Sequence, residues 1–385
     1  LIDESETMEL DGVDSADFKP VVDACTLCDM CFMTKCPYVP PHEWNVDFPH
    51  LMLRAKAARY KKEGTSLRNK LLANTDLVGS LAGIPVVAEV VNSVNHSGIG
   101  RAALDAVLGV HKEAKVPNYH GRGGRKRLKQ LPELALTPKP AGPTTGKVAL
   151  FTTCYGNYND PQVVEDMAVV FRHNGIEVTA VAKEKCCGMP KLELGDLEGV
   201  AAAKQVNVPE LLALIDQGYD IVAPVPSCVL MFKQELPLMF PGDADLERVQ
   251  RAIFDPFEYL SLRHKAGELN TEFKQSLGKV AYHAACHQRV QNIGPKTREI
   301  LSLVPDTEIL PIERCSGHDG TYGVKKEFYP FSAKICRPVA NQVKNGAVDH
   351  YGSDCPMAGR HVENLVDDGR ETEHPLSLLR LAYGI

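Results

Sequence analysis

Cys25, Cys28, Cys31 and Cys36 crowd into one short run, Cys-x2-Cys-x2-Cys-x4-Cys, and Pro37 follows the last of them. Gaps of two residues let a tight loop turn three sulfurs toward one point. Thiolates are soft donors and suit iron–sulfur clusters or zinc. Zinc sites usually take their cysteines as two separated pairs. A triplet closed by Cys-Pro fits an iron–sulfur cluster better.

The run is one residue longer than the C-x2-C-x2-C-x3-C-P pattern of bacterial ferredoxins, in which the fourth cysteine ligates the other of two clusters. Cys36 therefore either closes its own cluster through the extra residue or serves a cluster whose other ligands lie upstream. The sequence starts at Leu1 and not at Met, which favours the second option. The expectation is an N-terminally truncated cluster module.

The remaining cysteines repeat. A first copy has Lys147-Val-Ala-Leu-Phe-Thr-Thr-Cys154, then Cys186-Cys187-Gly188, then Pro226-Ser-Cys228-Val-Leu-Met231. A second has Lys279-Val-Ala-Tyr-His-Ala-Ala-Cys286, then Cys315-Ser316-Gly317, then Ser353-Asp-Cys355-Pro-Met-Ala358. Cys154 to Cys286, Cys186 to Cys315 and Cys228 to Cys355 are spaced 132, 129 and 127 residues apart. Such constant offsets mark an internal duplication. Buried cysteines are often mere small apolar residues, but an adjacent pair before glycine, with matched distant partners, points to a site.

These cysteines need elements to bring them together. Val148–Phe151, Val178–Val181 and Ile221–Val225 are β-prone apolar runs, each just before a cysteine landmark. Helix-like stretches, Val163–His173 and Ala201–Asp216, lie between them. Alternating strand and helix predicts a parallel sheet with right-handed crossovers. In such a sheet ligands gather at the strand C-termini, so three distant cysteine landmarks converge at one edge in each copy.

At these residues the chain resembles the cysteine-rich CCG-domain family, which includes the B subunit of heterodisulfide reductase, the C subunit of anaerobic glycerol-3-phosphate dehydrogenase and the glycolate oxidase iron–sulfur subunit. The resemblance covers Cys25–Pro37, Cys154–Met231 and Cys286–Ala358. It implies electron transfer, and in heterodisulfide reductase the CCG cysteines hold noncubane 4Fe–4S clusters that cleave disulfides. The sequence departs from that pattern: Met231 and Ala358 stand where a last cysteine would be, and Ser316 replaces the second cysteine of a pair. The first copy keeps Cys154, Cys186, Cys187 and Cys228; the second keeps Cys286, Cys315 and Cys355. Candidates to complete the second are Ser316, His283, His287, His318 and Cys336. Each histidine is read first as a hydrogen-bonding neighbour, and Cys336 as a packed thiol in a helix over Phe331–Gln342.

Between the cysteine groups, residues 51–115 read as helical, with an amphipathic character that leaves a quinone or membrane-surface role as an alternative. Residues 116–146 carry Pro117, Pro132, Pro138, Pro140 and Pro143 and the basic run Arg122, Arg125, Lys126, Arg127 and Lys129. They read as a linker that docks an acidic surface. A net charge of −6 over the 385 residues and the lack of aromatic interleaving argue against nucleic acid. Gly142–Lys147 fails as a phosphate loop, and no dinucleotide-binding glycine fingerprint occurs. The apolar stretch Leu77–Val91 is short and contains Ser80 and Glu89, below a membrane span. Without an export signal, twelve cysteines point to a reducing cytoplasm and not to a disulfide framework.

The expected architecture is α/β: a ferredoxin-type helical iron–sulfur domain over residues 1–115, a basic Pro/Gly linker over 116–146, and two duplicated CCG domains with parallel sheets over 147–270 and 277–385. The expected function is an electron-transfer subunit of an oxidoreductase, with one or more 4Fe–4S clusters, a further cluster in the CCG domains and a redox partner, flavin-bearing in the simplest case. A heterodisulfide reductase-like catalytic subunit and a zinc-stabilised scaffold are the alternatives.

Overall fold

The computed structural model describes residues 1–385, the side chain of Lys35 excepted. Seven short strands form two separate sheets, and every pairing is parallel. The first sheet contains β1 (Lys147–Leu150), β2 (Glu177–Ala180), β3 (Asp220–Val222) and β4 (Ile253–Phe254), in the order β2-β1-β3-β4. The second contains β5 (Gly278–His283), β6 (Thr307–Ile312) and β7 (His350–Ser353), in the order β6-β5-β7. The duplication is visible in the register: Val148 pairs with Val178 and Asp220, and Val280 pairs with Ile309 and His350. The three strands expected in the first copy form within a few residues of their sequence bounds; β4 has no counterpart in the second sheet.

The reason these runs are strands lies in their burial. Val148, Ala149 and Leu150 are wholly inaccessible, as in a parallel strand covered on both faces. Helix Pro161–His173 covers one face through Val163, Val164, Met167, Val170 and Phe171, opening with proline in its first turn where a missing N–H costs nothing. Helix Leu197–Ile215 covers the other through Val200, Val208 and Leu211, despite Pro209 within it.

The last helix, Pro375–Tyr383, returns to the first half of the chain and packs on Pro161–His173. Leu376, Leu379 and Tyr383 join Leu150, Phe171 and Val280 in one apolar cluster, so the two halves share a core. Buried Asp166 fastens the contact: Arg380 Nη1 donates to it at 2.7 Å and Ser377 Oγ at 2.5 Å.

Ahead of the sheets lie helices Phe48–Glu63, Leu67–Ala73, Thr75–Ala82, Pro85–His96 and Gly98–Leu108. Thr75–Ala82 and Pro85–His96 meet at 104°, and no single helix is long and apolar enough to cross a membrane. The basic run is more ordered than a free linker: Gly124–Gln130 is a helix, Leu128 is buried, and Arg127 pairs with Glu165 at 3.3 Å. Its alkyl stems and one leucine give it a surface to pack, which composition alone conceals.

Candidate metal centre

Each cysteine landmark sits where a strand ends. Cys154 follows β1 and opens helix Cys154–Tyr158; Thr153, at φ 64°, caps that helix by accepting from Gly156 N at 3.0 Å. Cys186 and Cys187 follow β2, and Cys228 lies in helix Pro226–Leu230 after β3. In the second copy Cys286 follows β5, Cys315 follows β6 and Cys355 follows β7. Gly188 (φ 105°) and Gly317 (φ 69°) take left-handed backbone at matched places after the cysteines, a conformation glycine adopts without steric cost.

The two edges face each other across one cavity of about 210 Å³. Eight cysteines line it: Cys28, Cys154, Cys186, Cys187, Cys228, Cys286, Cys315 and Cys355. Cys154 Sγ and Cys186 Sγ are 3.8 Å apart, with Cys187 and Cys228 beside them. Cys355, assigned by sequence to the second set, lies near Cys228. Cys28 lies near Cys286 and Cys315. Cys25, Cys31 and Cys36 stand outside the cavity lining, and Cys336 is packed with Val339, Ala340 and Val343.

Surrounding groups hold these loops. Asp76, from the N-terminal helices, accepts from Cys186 N at 2.8 Å. Asn207 accepts from Lys185 N at 2.8 Å and donates to Cys186 O at 3.3 Å. Gly317 N donates to Cys315 Sγ at 3.3 Å, the kind of amide–sulfur bond that tunes a cluster. Cys28 is presented by two left-handed residues, Leu27 (φ 51°) and Asp29 (φ 53°). Each costs about 1–3 kcal/mol for a non-glycine residue, so the surrounding contacts must enforce them.

Burial and mutual hydrogen bonding divide the thiols. The hydrogen bond it accepts from Cys154, with a second from Cys187, holds Cys186 well below the usual thiol range. Donating to Cys186 pushes Cys154 and Cys187 well above it. In the second set, the hydrogen bond from Cys286 lowers Cys315 to about 7 and raises Cys286. Burial raises Cys28 and Cys355 to about 11. Loading metal would therefore displace protons from the raised thiols.

The sulfurs can be tested against the ion they would hold. Four thiolates on one zinc, at about 2.3 Å each, stand about 3.8 Å apart. Cys154 and Cys186 meet that spacing, yet among the described residues no three cysteine sulfurs all lie within 4.8 Å of one another. The donor set is soft thiolate, with an amide donor at Cys315 Sγ from Gly317 N, and that chemistry suits an iron–sulfur cluster.

The histidines divide by what their nitrogens already do. His283 spends both, on Ser353 Oγ and Arg314 O, each at 2.9 Å, and burial lowers it to about 4. His287 spends Nε2 on Leu27 O at 3.1 Å. His318 differs: its Nε2 is buried without a hydrogen-bond partner, and the residue lines the cavity. Ser316 is buried at the cavity wall too. Sequence reasoning missed Glu193 and Asp319, which also line the cavity and share a hydrogen bond. Burial pushes both carboxyls up. The Gly-His-Asp-Gly stretch around Asp319 was the available signal.

Comparison with known proteins agrees with this geometry. The family model "CCG: Cysteine-rich domain" matches twice, at residues 148–233 and 280–357. Each of the two sheet-bearing halves is thus similar to the CCG cysteine-rich domain. It is 29% identical over 343 residues to the C subunit of anaerobic glycerol-3-phosphate dehydrogenase from Escherichia coli K12, an alignment covering 88% of this chain and 82% of that protein. It is 29% identical over 187 residues to lactate utilization protein A of Oceanobacillus iheyensis, covering 46% and 73%. It is 26% identical over 246 residues to the B subunit of fumarate reductase (CoM/CoB) from Methanothermobacter marburgensis, covering 62% and 46%. The matched segments bracket Cys154–Cys228 and Cys286–Cys355, so the expected CCG resemblance holds for both copies.

Proposed function

We propose that this chain is an iron–sulfur electron-transfer subunit of an oxidoreductase complex. The observation that carries the proposal is the convergence of eight cysteines from two sheet edges and the N-terminal run on one cavity. In this reading Cys25, Cys28, Cys31 and Cys36 belong to a ferredoxin-type 4Fe–4S module. Cys154, Cys186, Cys187 and Cys228, joined by Cys355, hold a cluster in the first CCG domain. Cys286 and Cys315 belong to a second site that Cys28 approaches. The clusters supply one-electron carriers; the chain's own residues hold their thiolates, exclude water and set polarity around them.

Relatives named as subunits of a dehydrogenase and a reductase support a partner protein that donates or accepts electrons, with flavin as its natural two-electron carrier. A reducing cytoplasm suits twelve free thiols. Exposed Leu77, Leu81, Val86, Val90 and Ile99 on the N-terminal helices support peripheral contact with a membrane or with the partner.

The test is elemental analysis with electron paramagnetic resonance on anaerobically purified protein. Several irons and matching sulfide per chain, with reducible cluster signals, are expected. Stoichiometric zinc without iron would replace the proposal with a structural scaffold.

A second reading, direct reduction of a disulfide at the cavity, is favoured by Glu193 and Asp319, whose carboxyls burial keeps protonated beside Cys315. Two-electron reduction of a small disulfide to two thiols by the isolated, cluster-loaded chain, with reduced viologen supplied as electron donor and activity abolished in C315A, would decide for it.

A further inference from the structure

Behind the first cysteine run, away from the cysteine-lined cavity, three ligand-type side chains from three separate segments meet. Asp29 lies between Cys28 and Met30, His50 lies in the first turn of helix Phe48–Glu63, and Glu235 ends the π-helical turn Met231–Glu235 of the first CCG domain. One ligand atom from each lies within 4.8 Å of the others. His50 Nε2 is 3.2 Å from Glu235 Oε2, close to the separation of neighbouring ligands around a single metal ion.

The surroundings are built around that meeting point. Asp47 holds His50 Nδ1 at 2.8 Å and also accepts from His50 N at 3.2 Å, fixing the ring so that Nε2 faces the carboxylates. A carboxylate on the far nitrogen is the usual support of a metal-binding histidine. Gln234 Nε2 donates to Asp29 Oδ2 at 2.9 Å and to Glu235 Oε1 at 3.1 Å, leaving each carboxylate an oxygen for another partner. Asp29 and Glu235 are only 4% and 6% exposed. Two adjacent buried carboxylates repel, and one imidazolium compensates a single charge. A dication bound by neutral imidazole compensates both.

We propose that Asp29, His50 and Glu235 form a mononuclear site for a divalent transition-metal ion that ties the first cysteine run to the first CCG domain. One imidazole and two carboxylates suit zinc, ferrous iron or manganese, not the soft sites of the thiolates. Three protein ligands leave room for water on the ion. The ion fixes Asp29 and so helps hold the left-handed backbone that presents Cys28.

The test uses the full, cluster-loaded chain, stripped of loosely held metal with EDTA under anaerobic conditions. Equilibrium dialysis against Co²⁺ is read by elemental analysis, with cluster iron and sulfide measured alongside. About one Co²⁺ per chain is expected beyond the cluster iron. H50Q and E235Q should weaken its binding by tenfold or more, and D47N, a change at a half-exposed residue, by about tenfold, each with cluster iron unchanged. If wild-type protein takes up no stoichiometric Co²⁺, or if D47N and H50Q retain it undiminished, the three side chains are an ion-pair relay and the proposal fails.

Discussion

His287 Nε2 lies 3.1 Å from the main-chain oxygen of Leu27, across 260 residues of sequence. One residue lies in the second CCG-like segment, directly after Cys286; the other precedes Cys28. The bond fastens the N-terminal run to the edge of the second sheet, at the point where Leu27 adopts left-handed backbone. Replacing His287 with alanine should cost about 1 kcal/mol of stability and release residues 25–31 without emptying the CCG sites. Hydrogen exchange should show faster exchange in that run alone, with iron content unchanged. Exchange that stays slow would mean Asp29 and its neighbours hold the loop without His287.

The cysteines should separate by substitution. C187A removes a thiol in contact with two others of the first set and should lower iron per chain by a whole cluster. C336A removes a thiol with no accessible surface, packed among apolar side chains, and should leave iron and sulfide unchanged while costing about 1 kcal/mol of stability. C355A discriminates further. Its neighbour is Cys228, so it should disturb the same spectral component as C187A and not the component lost in C286A.

How far this was legible in sequence follows from what each signal depends on. The strands before Cys154 and Cys228 were readable because a parallel strand buried on both faces leaves a continuous apolar run; the half-buried edge strand before Cys186 was readable from its β-branched Val178 and Thr179. The duplication was readable because cysteine is rare enough for three matched offsets to stand out. The pairing of Cys355 with Cys228, and of Cys28 with Cys286 and Cys315, was not. It depends on how two sheet edges face one another, and no local pattern records that. The return of Pro375–Tyr383 to the first core escaped for the same reason: its leucines announce an amphipathic helix but not its partner. Helix Gly124–Gln130 was masked by flanking prolines and glycines.

That returning helix carries its own prediction. Asp166 is almost fully buried, and Arg380 is the cation that pairs with it, also touching Glu165 at 3.3 Å. R380A leaves the carboxylate with Gln162 and Ser377 as hydrogen-bond donors. Breaking such a pair costs about 3–5 kcal/mol when fully buried. Arg380 keeps 27% of its side chain exposed, so about 1–3 kcal/mol is expected here. Urea unfolding should show the loss, and D166N/R380A together should recover part of it. An additive double mutant would show that the ion pair does not couple the last helix to the first core.

Asp255 gives a pH dependence whose sign can be worked out. It caps helix Pro256–Lys265, accepting from Phe257 N at 2.9 Å, and is 1% exposed. Burial, reinforced by the charge of Glu258, raises its carboxyl from 3.8 to about 6. Between those values the folded chain keeps a proton that the unfolded chain has lost, so folding is favoured there by proton binding. As pH rises through 6 the folded state must ionise a buried group, and stability falls by on the order of 1–3 kcal/mol relative to a group with an ordinary value. Asparagine caps helices as well as aspartate and has no charge to bury. D255N should therefore be near neutral at pH 4 and stabilising at pH 7.5, by a difference of that size in urea unfolding. Equal effects at the two pH values would mean that Asp255 ionises in the native protein as it does in water.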